Sequence, residues 1–385
     1  MGRRNSAFQR APLEVVELSG DPFEVAHQLG KKRSAVIARR VDYWNRLLAR
    51  VYRGKKDRLR SLERGFLAAA RAVPRYLGEV RALAEGAGLP FADLFRLNLT
   101  ELQAYADKCT TLVLPFETPR GPGILIAHNE DWDPRRNDVF VLKARLPECA
   151  YAILAYDGYL PGLSSGVNSF GLGHAINYLA PPDRRVGVPR IFITRHLVTA
   201  RNFEDVVNWA KRHARAFGQG IHLAQGSQYL GLELTSKKVA FWRPRLPAVH
   251  ANHYLDAGLR RSAPPPGISS LARYHAAKAL LDEEARRRRE AWTRTEAVRA
   301  ARRILSDRSG LPYAVWREAD STDETGATVA CALIDTGHLT LEVFRKRPDE
   351  TSPGMSLLTQ TRWRSTSRRR SSRGGPCSRR NSGPR

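Results

Sequence analysis

The chain reads as an α+β protein in which a helical amino-terminal part leads into a strand-rich body. Three observations carry that reading. Between Asp21 and Glu101 apolar residues recur three and four apart. After Cys109 the period falls to two or to short apolar runs, and two helical blocks interrupt the strands, the grouping expected of a layered α+β fold.

The opening stretch, MGRRNSAFQRAPLEVVEL, carries charge without the apolar run of a signal peptide, and no window approaches the ~20 apolar residues a membrane span requires. A cytoplasmic protein is expected. Met1–Ser6 fits the myristoylation pattern, but so short a pattern recurs by chance, and it is read as a basic start. The segments PFEVAHQLGKKRSAVIARRVDYW and RSLERGFLAAARAVPRYLGEVRALAEGAGL are rich in strong helix formers. LPFADLFRLNLTELQAY after them predicts a short helix, which sets Cys109 at a helix-to-strand transition. Residues 1–108 are therefore expected to form a helical unit.

Strands follow in TTLVL, GILIAHN, VFVLKA, YAILAY, GLGHAIN, YLGLELT, KVAFW, GATVACALID and LTLEVF. Turns are expected at Pro119–Gly123, Thr235–Lys238 and Asp335–Gly337. Asn202 suits the N-cap of one helical block, with Glu204 and Asp205 in its positively polarised first turn. The other block runs from Leu271 to Leu305, and its RRRR run reads as a solvated helix face. Residues 109–350 form this body. Residues 351–385, rich in Arg, Ser, Gly and Pro, are expected to be a disordered tail. Because much of the formal charge of +26 lies there, it argues weakly for an organised nucleic-acid surface.

Four cysteines, Cys109, Cys149, Cys331 and Cys377, stand apart with no CxxC, so reduced thiols are expected rather than a zinc ribbon or disulfide framework. His250 and His253 form an HxxH in a strand leading to a turn, with no third ligand nearby, and read as hydrogen-bonding residues. EDWDPRRND fails as a calcium loop, because Arg135 occupies a ligand position and the turn glycine is missing. No metal or cofactor is expected.

Cys109 opens a run of strand formers, with His128-Asn129-Glu130-Asp131 one hairpin later. A thiol with pKa near ~8.5 supplies little thiolate at neutral pH and needs a base. Were the chain cut before Cys109, the freed α-amine, pKa roughly 7.7–8.0, would be that base. A carboxylate would have to hold the amine, and Asp131 lies within reach across the hairpin. Taken alone, these residues leave Cys109 as readily a buried core thiol as a nucleophile.

The ordered set Cys109-Thr110-Thr111, Asn129-Glu130-Asp131, Gly166-Val-Asn-Ser-Phe-Gly171 with Asn177, Gly187-Val-Pro189, Gly231-Leu-Glu233, His250-Ala-Asn252-His253 and Gly326-Ala-Thr328 resembles the isopenicillin N acyltransferase family of N-terminal nucleophile hydrolases. The resemblance implies a four-layer αββα fold, and VRALAEGAGLPFADLFRLNLTEL resembles the end of the family's propeptide. It makes Cys109 the nucleophile, exposed by autocleavage at Lys108-Cys109, with Asp131 organising its amine and Asn252 an oxyanion donor. Asn177 and Asn129 join the oxyanion or substrate-binding set. The family usually has glycine where this chain has Lys108, and some members have arginine where it has Thr325.

The leading expectation is an amidase cleaving a linear carbon–nitrogen bond of a small molecule through an acyl-thioester on Cys109. Acyl transfer, for example from acyl-CoA to an amine, uses the same intermediate and is the alternative. A basic nucleic-acid-binding protein is the third reading; on the enzyme reading the tail binds polyanions non-specifically. The charge explains none of the ordered motifs, which favours the enzyme.

Overall fold

The computed structural model describes residues 13–102, 108–133, 139–288, 290–318 and 326–350, and the backbone of 355–358. Met1–Ser6, Arg135, Thr325, Cys377 and the run after Leu358 lie outside the described residues.

The amino-terminal part opens with a strand, β1 (Val15–Ser19), followed by helices α1 (Pro22–Val51), α2 (Lys56–Ala70), α3 (Pro74–Ala87) and α4 (Phe91–Leu97). Asp21 starts α1 by accepting from the amides of Phe23 and Glu24, while Glu24 accepts from the Asp21 amide, so the donors of the first turn are satisfied reciprocally. α1 and α3 cross at backbone contact: a Cβ on Gly30 would strike the Leu83 carbonyl, and one on Gly86 the His27 carbonyl. The sequence reading of residues 1–108 as a helical unit needs correcting here, since the part includes a strand. β1 joins the body as a parallel edge strand with Val16 fully buried, too short a segment for its alternation to stand out.

The body continues through β2 (Lys108–Phe116), β3 (Gly123–Trp132), β4 (Val139–Arg145), β5 (Ala150–Tyr156), β6 (Gly166–Asn168) and β7 (Leu172–Leu179). Helices α5 (Arg190–Leu197) and α6 (Phe203–Arg212) come next, then β8 (Gly218–Gln225), β9 (Gln228–Leu234), β10 (Val239–Trp242) and β11 (Ala248–His250). The short α7 (Ala257–Arg260) precedes α8 (Ile268–Arg286) and α9 (Arg294–Leu305), and β12 (Ala327–Asp335), β13 (Thr340–Phe344) and β14 (Met355–Leu358) close the fold. The three turns expected from sequence fall between β2 and β3, β9 and β10, and β12 and β13, and Asn202 caps α6 through the Asp205 amide.

The strands form two sheets, ordered β1-β4-β5-β6-β7-β8-β9-β10 and β11-β2-β3-β12-β13-β14. They face each other: a Cβ on Gly173 of β7 would touch Ile334 and Thr336 of the second sheet, so glycine lets the layers close. Leu112, Leu114, Leu125 and Ala127 turn outward against α8 and α9. On the other side Leu172, Ile176 and Leu223 pack beneath α6. The result is the αββα order of layers.

Two boundaries differ from the sequence reading. The helical block expected from Leu271 to Leu305 comprises two helices, divided after Arg286, where exposed Arg287 pairs back to Glu283 and Arg288 reaches forward to Glu296 in the next helix. Within the stretch assigned to a disordered tail, Met355–Leu358 pairs antiparallel with β13, because that strand offers an open edge to any adjacent extended segment. No helix among the described residues is long and apolar enough to cross a membrane.

A buried ion pair fastens the amino-terminal part to the body. Arg195 of α5 donates to Glu79 of α3 at 2.6 Å, both almost fully buried. Removing one member leaves the other charge without compensation. Glu79→Ala should therefore lower unfolding free energy by about 3–5 kcal/mol in denaturant titrations; a loss below about 1 kcal/mol would show that the pair does not anchor this part.

Candidate active site

Three thiols are described, all buried and none in a disulfide, but their surroundings differ. Cys331 lies in the apolar layer under α9, and burial pushes its thiol far up, out of reach of ionisation at neutral pH. Burial raises Cys149 also, against a side-chain hydrogen bond from Ser169. Both read as inert core residues. Cys109, second residue of β2, is set instead among polar and ionisable groups on two sides.

One side is its backbone. Alternate residues of a strand direct N–H and C=O to the same neighbour. Lys108 and Thr110 face β3, so the amide and carbonyl of Cys109 point toward the β11 edge. There the Cys109 N–H donates to Asn252 Oδ1 at 2.8 Å. Arg273 of α8, fully buried, donates to the same Oδ1 at 2.8 Å, to the Cys109 carbonyl at 2.5 Å and to Thr110 Oγ1 at 2.8 Å. Two donors on Oδ1 fix the orientation of the Asn252 amide, whose Nδ2 donates to the Tyr178 carbonyl at 3.1 Å. Its backbone N–H is held by Ser270 Oγ, which also bonds His253. Burial lowers His253 to about 4, so it stays neutral near neutral pH.

The other side is the space between the sheets, which Cys109, Thr111 and Val113 face. Opposite Cys109 in register is Glu130, and opposite Thr111 is His128. The Cys109 sulfur, a His128 ring nitrogen and a Glu130 carboxylate oxygen lie within 4.8 Å of one another, all buried. His128 Nδ1 meets Thr111 Oγ1 at 2.8 Å and Nε2 meets Glu130 Oε2 at 3.2 Å, while Ser164 donates to the same carboxylate. Thr111 in turn donates to Asn177 Oδ1 at 2.7 Å, which His222 Nε2 approaches at 2.8 Å. The chain of polar groups ends on His250 and Glu233, 2.9 Å apart. Burial alone would raise Glu233, but His250 and the amides of Leu255 and Asp256 hold it below the ordinary carboxylate range. Thr111 and Glu130 thus take up the two ring nitrogens of His128 as neighbours, and the thiol lies beside that pair.

Asp131 and Asn129 fall on the opposite face of β3. Asn129 Nδ2 donates to the Leu305 and Val315 carbonyls, which ties β3 to the helical layer and keeps the amide away from the Cys109 sulfur. Asp131 is paired with Lys108 and, across a bulge in β12, with Thr328, which donates to its Oδ1 at 2.7 Å. Its Oδ2 has no hydrogen-bond partner among the described residues. Burial raises its pKa despite the opposing charges of Arg273 and Arg317 and the Thr328 bond. In the continuous chain the Cys109 nitrogen thus rests on Asn252, while Asp131 stands in register with the residue before it.

A cavity of about 370 Å³ opens against this node, lined among others by Tyr178, Asn252, His253, Tyr254, Arg260 and Arg273. Arg273 went unnoticed in the sequence because it sits among ordinary helix residues in SLARYHAAK; its one signal is a cation on the face of α8 that also carries Ala277 and Leu281 inward. His128 and Glu130 were visible only as neighbours of Asp131, although the two-residue strand period places them, and not Asp131, on the side of the thiol.

These features define a class: a two-sheet αββα protein with a thiol at the head of an internal strand, its backbone nitrogen gripped by a buried amide beside a cavity. A family model described as acyl-coenzyme A:6-aminopenicillanic acid acyl-transferase matches residues 117–350, more than half of the sequence. The chain belongs to that family, and is an enzyme of its amidase and acyltransferase kind. The match begins after β2, so Cys109 itself falls outside it. The beta-alanyl-dopamine/carcinine hydrolase of Drosophila melanogaster is 26% identical over 320 residues, covering 74% of this chain and 80% of that protein. Two solved structures are similar at lower identity. The Caenorhabditis elegans ortholog of N-acylethanolamine-hydrolyzing acid amidase is 15% identical with a TM-score of 0.39, covering 60% of this chain and 93% of that one. Penicillin V acylase from Agrobacterium tumefaciens is 14% identical with a TM-score of 0.41, covering 62% and 83%.

A carboxyl whose pKa is higher folded than unfolded binds its proton more tightly when folded. Its contribution to stability is complete below the unfolded pKa and is lost as pH rises through the folded one, so at pH 7 the raised Asp131 carboxyl weighs against folding. Asp131→Asn removes that charge. The variant should resist denaturant better than the parent at pH 7, and the margin should shrink as pH falls through the carboxylate range. A variant less stable than the parent at pH 7 would mean that Arg273 and Arg317 outweigh the burial.

Proposed function

We propose that this enzyme is a cysteine N-terminal nucleophile amidase that cuts itself at Lys108-Cys109 and then hydrolyses a small linear amide through an acyl-thioester on Cys109. The hydrogen bond from the Cys109 nitrogen to Asn252 Oδ1 carries the reading, because it holds the atom that would become the α-amine on the same side chain that would serve the oxyanion. After cleavage that amine takes the thiol proton, the thiolate attacks the substrate carbonyl, and the amine returns the proton to the leaving nitrogen. Water then releases the acid. Of the two N–H bonds of Asn252 Nδ2, one goes to Tyr178, and the other is the donor assigned to the developing oxyanion. Arg273, by gripping Asn252 and the Cys109 carbonyl together, keeps the two at one separation. Asp131 supplies the negative charge that favours a protonated α-amine and orients the cut end, and Asn177 positions the inner face through Thr111.

Tyrosines and Arg260 in the cavity lining suit a polar amide with an aromatic part. N-β-alanyl amines are the first compounds to test, given the activity named for the Drosophila relative. An amine in place of water makes the same intermediate an acyl donor, which the name of the family favours as the second reading.

Intact-mass analysis should find fragments ending at Lys108 and beginning at Cys109, and Cys109→Ala should abolish both cleavage and amide turnover. A single full-length species that still hydrolyses amides would sink the mechanism. Asn252→Ala should lower turnover on the order of a hundredfold to a thousandfold, the scale for one oxyanion donor, whereas Asp131→Asn should slow maturation and turnover together. Near-normal rates would reject the assigned roles.

A further inference from the structure

Self-cleavage poses a problem that the mature enzyme does not have. Before the Lys108-Cys109 bond is cut, the Cys109 nitrogen is an amide, cannot act as a base, and is donating to Asn252. Something else must take the thiol proton.

We infer that the buried His128–Glu130 pair is the proton acceptor for Cys109 in the uncleaved chain, and that His128 is a catalytic residue of maturation. This rests on the cleavage proposed above and adds the base. The sulfur, a ring nitrogen and a carboxylate oxygen are within 4.8 Å of one another, close enough for direct transfer after rotation of a two-atom side chain or through one water. The hydrogen bonds set the direction of transfer. Thr111 directs its hydroxyl proton to Asn177 Oδ1, so its oxygen accepts from His128 Nδ1. In neutral His128 the other nitrogen, Nε2, then carries a lone pair facing Glu130 Oε2 at 3.2 Å. That contact becomes a hydrogen bond only when Nε2 gains a proton, and the carboxylate stabilises the imidazolium formed. Ser164 steadies Glu130 from its far side.

The step balances. The thiol proton passes to Nε2, and the thiolate adds to the Lys108 carbonyl carbon. The carbon–nitrogen bond breaks as the imidazolium returns the proton to the Cys109 nitrogen, which leaves as an amine while a thioester forms. Water hydrolyses that thioester, giving the Lys108 carboxylate and the free thiol. The titratable groups that face His128 are Glu130 on its own strand, Cys109 on β2, and His174 and His222 across the sheets, whose charges would act against its own. Burial lowers both of those histidines well below neutrality, so they stay uncharged and add no like charge beside the imidazolium.

The test follows cleavage of full-length purified protein over time by intact mass, from pH 6 to 10, for the parent, His128→Gln and Glu130→Gln, with circular dichroism to show that each is folded. Without a base only the intrinsic thiolate reacts, about 3% of the thiol at pH 7 for a pKa near 8.5. His128→Gln should therefore cleave about thirtyfold more slowly than the parent at pH 7, gain about tenfold per pH unit, and approach the parent rate by pH 10. Glu130→Gln should show a smaller loss with the same recovery, and it carries the test should His128→Gln not fold. Equal rates at pH 7 in parent and variants would overturn the inference while leaving self-cleavage intact. A loss that alkali does not restore in a folded variant would overturn it too, by showing a structural role. A parent that never cleaves would remove the underlying reading along with it, and is told apart by the absence of any Cys109 fragment.

Discussion

The grip of Arg273 and Asn252 on the backbone of Cys109 is the constraint around which the site is built. A guanidinium with no exposed surface is costly unless its donors are occupied, and besides Ser269 on its own helix it reaches the Cys109 carbonyl, the Thr110 hydroxyl and the Asn252 amide oxygen, on or beside the first residues of β2. Those bonds fix where β2 begins relative to the loop after β11, and they do so only if α8 lies over that edge. The helical layer therefore does more than cover apolar surface: it sets the position of the strand that bears the thiol.

Strand alternation divides the work around that point. From β2 and β3 the residues facing the helices are Leu112, Leu114, Leu125 and Ala127, ending in Asn129 and Asp131, whereas the residues facing the eight-stranded sheet run from Val113 and Ile126 to Thr111, His128, Glu130 and Cys109. Each face is apolar at one end of the hairpin and polar at the other. The apolar ends supply the stability, at roughly 1.5–3 kcal/mol for each fully buried Val, Leu or Ile, and the polar ends remove some of it. Asp131, burdened by its own burial, is the plainest case. Stability given up in the place where chemistry is assigned is a common mark of active sites.

Much of this was legible in the sequence, and what was missed has physical reasons. The shift from helical to strand period, the three hairpin turns and the Asn202 cap are local signals, and the structure has them where local chemistry puts them. The ordered motifs also drew together Cys109 and Asn252, which are 143 residues apart in the chain and bonded in the fold. β1 and β14 went unseen because each is a short segment that becomes a strand only when an open sheet edge accepts it. Asn129 looked equivalent to its neighbours in the tetrad His128-Asn129-Glu130-Asp131, but a two-residue period splits that tetrad, and pairing register decides which pair meets the thiol. Arg273 lies beyond such reasoning, since an arginine in a helix announces nothing until the helix is seen to press on β2.

The same register bears on what the proposed cut would do to the amino-terminal part. Its hold on the body does not run through the Lys108-Cys109 bond. β1 is hydrogen-bonded along β4, the Glu79–Arg195 pair is buried between α3 and α5, and Glu101 accepts from the Arg190 amide at the start of α5. All three contacts fall on the eight-stranded sheet and its helices, whereas Cys109 stands in the other sheet. Cleavage would therefore free the end of β2 without loosening the segment before it, and the layer that includes α1 and α3 would persist as the second chain of a two-chain enzyme. On this account Lys108, paired with Asp131 until the bond breaks, is the residue whose withdrawal matters. Its departure would leave Asp131 facing the newly formed amine, and the carboxylate that burdens the intact chain would become the counter-charge of the mature one.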